Sequence, residues 1–228
     1  MTKKTTSTPI QAILFDMDGT IFDTEVIYES GWIETAEAFG QSFTKEDYKK
    51  MVGVRREVCH QIAKDMFGPD FPMDDFIAAK DKHNQQVKAQ GVAIKQGFEA
   101  FFQACLKKNL KLGLVTSSHR AVVDANFARL THFDYLKHFD CIVAAEDVTQ
   151  PKPEPECYLK AAKQINVAPE SCLVIEDSNP GCRAAIAASC PTLMIPDFLP
   201  AEPDVAEQLA EQVSSFDQAY HWLDNTSE

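Results

Sequence analysis

The stretch ILFDMDGTIFDTE, Ile13 to Glu25, begins as a buried strand and breaks into acids. Ile13, Leu14 and Phe15 are apolar. Asp16 and Asp18 follow two residues apart, with Gly19 and Thr20 behind them. Two carboxylates that close repel, so the fold must bring compensating charge to the end of this strand. Four further apolar runs follow: LKLGLVTSS (110–118), FDCIVAAED (139–147), SCLVIEDS (171–178) and PTLMIPD (191–197). Near-continuous apolar runs with β-branched residues suit strands covered on both faces of a parallel sheet. The segments between them have helical spacing. Phe98, Phe101, Phe102, Cys105 and Leu106 form one stripe, and Tyr158, Ala161, Ala162 and Ile165 another, both expected in the core. Strands alternating with helices predict an α/β sandwich around a parallel sheet.

One crossover is far too long. A parallel connection needs about a dozen residues, yet residues 25–92 contain no convincing strand. They read as helices over about 25–39, 45–51, 55–67 and 74–90, with Thr44 capping the second, and Gly40, Gly68 and Gly91 stand where helix C-caps are expected. The expected division is a disordered tail over 1–11, a catalytic core of 12–24 and 93–228, and an all-helical insertion of 25–92. An insertion just after the acidic loop is placed to act as a lid, hinged near Thr24 and near Ala93–Gln96.

The remaining bounds are broad. A chain of 228 residues holds one sizeable domain, or one core with a smaller insertion. A net charge of −12 argues against non-specific binding to nucleic acid or an anionic membrane, both of which want a basic face. Seven cysteines without paired spacing, several in apolar runs, read as buried thiols of a reducing compartment. The opening MTKKTTSTPIQ has no apolar stretch of signal-peptide length, and no segment reaches membrane-spanning length. A cytoplasmic protein is expected, as a monomer or weak homo-oligomer.

In open parallel sheets, ligands sit beyond the carboxyl ends of the strands. Those ends offer Asp16 and Asp18, then Thr116, Ser117 and Ser118, then Lys152 in QPKPEP, then Glu176 and Asp177. Several carboxylates meeting one lysine, hydroxyls and exposed amides call for a divalent cation. Oxygen ligands favour Mg²⁺ over zinc, and the six histidines show no zinc-ligand spacing. A phosphate group would then bridge cation, lysine and hydroxyls.

DMDGT, Thr116, Lys152 in PKPEP, and IEDSNPGCRAAIAA together resemble the haloacid dehalogenase superfamily, specifically its phosphotransferases with a helical cap after the first motif. The resemblance runs from Ile13 to Asp197 with all four motifs in order. It implies a Rossmann-like three-layer core and a Mg²⁺-dependent phosphatase acting on a small phosphorylated metabolite, such as a sugar or nucleoside phosphate. By the same resemblance, Asp16 is the nucleophile that forms an aspartyl-phosphate and Asp18 is the acid/base. Mg²⁺ is held by Asp16, the Asp18 carbonyl and Asp177, with Glu176 close by. Lys152, the Thr116 hydroxyl and the Ser117 amide hold phosphate oxygens, and Gly19 permits the tight turn.

Other positions stay open. Thr20 and Asp23 read as braces of the turn. Ser118 either touches substrate or caps the helix near His119, and Ser178 before Asn179–Pro180 reads as a helix cap. Ser189 stands where the family habitually has glycine. Arg55, Arg56, Lys82 and His83 are cap residues that such enzymes can turn towards substrate, or else solvated surface charges. A β-phosphoglucomutase-like phosphomutase is the alternative function, although Tyr28 replaces the histidine those enzymes carry in the first cap helix. Dehalogenation needs no acid at the second position, so Asp18 argues against it. A non-catalytic binding module should have lost part of the set Asp16, Asp18, Lys152 and Asp177.

Overall fold

The computed structural model describes residues 8–51 and 56–226, the side chains of Arg56 and Glu57 excepted. The first seven residues of the expected tail, and Arg55, lie outside the described residues. At the other end of that tail, Gln11 is already tied into the sheet. Its amide donates to Ser171 and its carbonyl accepts from Lys111, so residue 11 belongs with the sheet and not with the expected tail.

Strand β1 (Ala12–Phe15) is buried throughout and pairs in parallel with β2 (Lys111–Val115) on one side and β4 (Cys172–Glu176) on the other. Outside β2 lies β3 (Cys141–Val143), and outside β4 lie β5 (Thr192–Met194) and β6 (Glu211–Gln212). All pairs are parallel, in the order β3-β2-β1-β4-β5-β6. The four strands expected after β1 are present, each shorter than its apolar run. β6 was not anticipated, because two half-exposed polar residues carry no strand pattern.

The order reverses direction between β1 and β4, which makes the carboxyl ends of those two strands the switch point of the sheet. Alternation along β1 sends successive side chains to opposite faces. Leu14 joins Tyr158, Ala161 and Ile165 of helix α7 (Glu156–Ile165) and Ala184 and Ala185 of α8 (Asn179–Ala187). Phe15 packs against Phe98 and Phe101 of α5 (Phe98–Lys107), with ring centroids 5.6 and 5.9 Å apart. Phe216 of α9 (Phe216–Asn225) closes that layer against Phe98. Both predicted stripes lie in the core, on opposite faces of the sheet, except that Leu106 at the end of the first is only half-buried.

The chain divides into two compact units, one running to Phe22 and resuming at Ile94, the other Asp23–Ala93. The second consists of α1 (Glu25–Ala38), α2 (Lys45–Lys49), α3 (Arg56–Phe67) and α4 (Met73–Gln90). Thr44 caps α2 through a reciprocal bond with Asp47. Gly40, Gly68 and Gly91 all take positive φ, as expected of residues ending helices. This unit has its own aromatic core, with Trp32 against Phe43 and Phe76 at 5.5 and 5.4 Å. Among the described residues, no helix is long and apolar enough to cross a membrane.

Candidate active site

Alternation carries Asp16, the residue after β1, to the same face as Leu14, towards α7. There it meets Lys152. The lysine Nζ donates to Asp16 Oδ1 at 2.6 Å, to Glu176 Oε1 at 2.8 Å and to the Val115 carbonyl at 3.3 Å. Its ammonium also lies 5.1 Å from the centroid of the Tyr158 ring. This lysine is the compensating charge that the acidic strand end required.

Glu176 ends β4 with no exposed surface. Its Oε1 accepts from Lys152 and from the Tyr158 hydroxyl at 3.1 Å. Its Oε2 accepts from the amides of Asp177 and Ser178 and from the Ser178 hydroxyl, each at 2.9 Å. Five donors on two oxygens exceed the roughly four acceptor directions of a carboxylate. Ser178 also caps α8 by accepting from the Gly181 amide, as its place before Asn179–Pro180 predicted.

Asp177 follows Glu176 and meets the turn after β1. Its Oδ1 accepts from the Thr20 hydroxyl at 3.2 Å, so Thr20 reaches beyond its own turn. Gly19, at φ +87°, brings its backbone so close that a Cβ there would lie 2.4 Å from Asp177 Oδ2. Asp16, Glu176 and Asp177 each offer an oxygen, all within 4.8 Å of one another. This donor set fits a hard divalent cation. With so many acceptors already committed on Glu176, Asp16 and Asp177 are the better placed to ligate one.

Burial pushes the Asp16 carboxyl up to about 8, against the pull of Lys152. Burial first, then the charges of Glu176 and Asp16, hold Asp177 well above the usual carboxylate range. Burial opposes the charge on Glu176, but Lys152 and the Ser178 donors outweigh it and lower that group. Burial likewise opposes the Lys152 charge, and the two carboxylates overcome it, keeping the ammonium protonated. The cluster is thus short of positive charge on the Asp177 side.

Thr116 follows β2, is buried, and accepts from the Ser118 amide at 3.0 Å through its hydroxyl. Ser117 between them is exposed. Ser118 does not cap α6 (Arg120–Phe127), whose N-cap His119 also makes no side-chain cap bond. Its hydroxyl donates instead to Asp18 Oδ2 at 2.7 Å. The strand ends bring Lys152 to Asp16 and Glu176, Ser118 to Asp18 and Thr116, and Gly19 and Thr20 to Asp177, while Ser117 stands exposed after β2. In the helical unit, Lys82 is exposed on α4, and Tyr28 accepts from Lys88 Nζ at 2.7 Å.

Two members were missed. Tyr158 was read only as core, and its buried hydroxyl gave no sequence signal. Asp197 stands just beyond β5, bonded to Lys95, and its charge adds to the rise of Asp177. Its position at a strand end was the available clue. Ser118, open between substrate contact and a helix cap, bonds to Asp18 instead of capping.

Residues 13–195 match the family model described as haloacid dehalogenase-like hydrolase. A phosphorylated carbohydrates phosphatase from Thermotoga maritima is 29% identical over 179 residues, 78% of this chain and 82% of that protein. CbbY from Rhodobacter sphaeroides, solved as a variant with xylulose 1,5-bisphosphate, is 26% identical with a TM-score of 0.68, over 91% of this chain and 95% of that one. A hydrolase of this superfamily from Deinococcus radiodurans, with bound phosphate and sodium, reaches a TM-score of 0.81 over 96% of both chains. At 22% identity it speaks for the fold alone.

Proposed function

The chain belongs to the haloacid dehalogenase-like hydrolases, and on that footing we propose that it is a Mg²⁺-dependent phosphatase of small sugar or nucleoside monophosphates, working through an aspartyl-phosphate. The observation that carries this reading is the Asp16–Lys152–Glu176 arrangement at the switch point of the sheet, with Asp177 beside it. The phosphorylated-carbohydrate activity named for the Thermotoga maritima relative and the bisphosphate bound to CbbY support the substrate class.

Asp16, held towards the switch point by Lys152, attacks phosphorus in line. The bond to the leaving oxygen breaks with its electron pair, and that oxygen takes a proton from Asp18. A water then attacks the aspartyl-phosphate, gives a proton back to Asp18, and frees Asp16 and inorganic phosphate. The Thr116 hydroxyl, the Ser117 amide and Lys152 stabilise charge on the phosphoryl oxygens. Mg²⁺ would be held by Asp16, Asp177 and the Asp18 carbonyl, and supplies screening between the carboxylate nucleophile and the phosphate dianion. Glu176, committed to Lys152, orients that lysine.

Phosphate release from a panel of sugar, nucleoside and short-acid monophosphates, with Mg²⁺ or with EDTA, tests the proposal, with Asp16→Asn as the blank. Metal-dependent release that is lost in Asp16→Asn is the expected result. Isomerisation of glucose phosphates without release would make the protein a mutase. Release from no ester, in either condition, would make it a binding module.

A further inference from the structure

Ser118 is pinned on both sides of its hydroxyl. Its amide donates to Thr116 Oγ1 at 3.0 Å, and its carbonyl accepts from the Ala145 amide at 3.0 Å. From this fixed backbone the hydroxyl reaches Asp18 Oδ2 at 2.7 Å. The other oxygen of Asp18, Oδ1, is buried and accepts no hydrogen bond from the described residues. A buried carboxylate oxygen left bare is costly, and most buried acceptors are satisfied. The arrangement makes sense where a ligand atom completes it.

We propose that Ser118 is a positioning residue for Asp18, holding Oδ2 so that Oδ1 alone faces the ester. This rests on the reading of Asp18 as the acid/base. The terminal torsion of an aspartate is broad and roughly two-fold, so an untethered carboxyl presents its proton in several directions. A donor fixed on Oδ2 leaves Oδ1 as the oxygen that carries the proton. When the bond from phosphorus to the leaving oxygen breaks, that oxygen keeps the electron pair and takes the proton from Oδ1. In the second step, the attacking water returns a proton to Oδ1. The Ser118 hydroxyl proton stays on Oγ throughout.

Two esters separate this role from simple substrate binding. Glucose 6-phosphate, standing for alkyl esters, has a leaving alcohol that must be protonated, whereas 2,4-dinitrophenolate leaves without a proton. For Ser118→Ala, kcat on the alkyl ester is expected to fall about 10- to 100-fold with KM changed less than about threefold. The pre-steady-state burst of dinitrophenolate should keep its rate within about threefold, while the steady-state rate after it falls with the alkyl ester, because the second step still needs a placed base. An unchanged burst also shows that the variant folds. Ser118→Thr keeps the hydroxyl and should restore kcat. A burst slowed as much as the steady state, a rise in KM at constant kcat, or no change at all would each overturn the assignment. A parent that hydrolyses neither ester, or an Asp16→Asn variant that hydrolyses both as the parent does, would overturn the proposed function and the role of Ser118 with it.

Discussion

Lys152 is a single positive charge between two buried carboxylates, and its side chain has almost no contact with water. Breaking a buried ion pair by removing one partner costs about 3–5 kcal/mol, because the remaining charge is stranded. Lys152→Met keeps much of the volume and the contact with Tyr158 but strands Asp16 and Glu176 together. Its unfolding free energy, from urea denaturation at pH 7, should fall by about 3–5 kcal/mol relative to the parent. Phosphate release should fall at least about a hundredfold, since charge stabilisation of this kind contributes on that scale. Retention of both stability and activity would mean that another cation compensates the acids. The Asp16 side of the pair behaves in the opposite sense. Its carboxyl is pushed up to about 8 by burial, so the charged form that the nucleophile requires is the form the folded chain least favours. Function here is held against stability, as active sites commonly are.

At the scale of elements, the turn from β4 into α8 carries the heaviest constraint. A Cβ on Gly181 would lie 1.6 Å from Glu176 Oε1. Gly181→Ala must therefore displace the carboxylate that orients Lys152, and overpacking of this kind costs about 1–3 kcal/mol. A lower melting temperature together with a loss of kcat is expected, and an unchanged kcat would show that Glu176 does not orient the lysine. The far end of α8 gives the converse case. Ser189 sits at φ +65° where a glycine would be unstrained. The left-handed region costs an L-residue roughly 1–2 kcal/mol, and the extra backbone freedom of glycine returns part of that. Ser189→Gly should thus stabilise the protein by up to about 1 kcal/mol, measured as a shift in urea midpoint at constant m. Elements of this sort were legible beforehand wherever burial writes a pattern. β1 and β4 are apolar because both faces are covered, and helices of the inserted unit end at glycines because the chain needs positive φ there. The strand-end acids and Lys152 were legible because charged residues beside buried strands demand partners. What escaped was set by contacts far apart in sequence. Tyr158 shows its ring in a helical stripe, but the partner of its hydroxyl lies on another strand. Ser118 reads as a substrate contact or a cap until the fold brings Asp18 to it, a hundred residues away.

Over the whole molecule, the net charge of −12 is focused by the fold, because carboxylates from three different strand ends converge near the switch point. That gives stability a definite pH dependence. Asp16 and Asp177 have folded pKa values raised, chiefly by burial, above the ordinary carboxylate range. Between about pH 4 and pH 8 the folded chain therefore holds protons on these groups that the unfolded chain has released, and stability falls as pH rises. The contribution is fully present below the ordinary carboxylate value and is lost as pH climbs through the folded value. Glu176 is lowered and acts only at more acid pH, while Lys152 is raised and acts only above the ordinary lysine range. Neither reverses the trend in this window. A divalent cation competes with protons for the same oxygens, so its stabilisation should grow with pH. Thermal unfolding followed by circular dichroism should show the melting temperature in EDTA declining from pH 5 to pH 8. Added Mg²⁺ should recover more of it at pH 8 than at pH 5. Asp177→Asn removes one of the two groups and should flatten the EDTA curve while abolishing most of the Mg²⁺ response. An equal Mg²⁺ effect at both pH values, or a slope untouched by Asp177→Asn, would place the pH dependence in the general surface charge and take the cation away from these carboxylates.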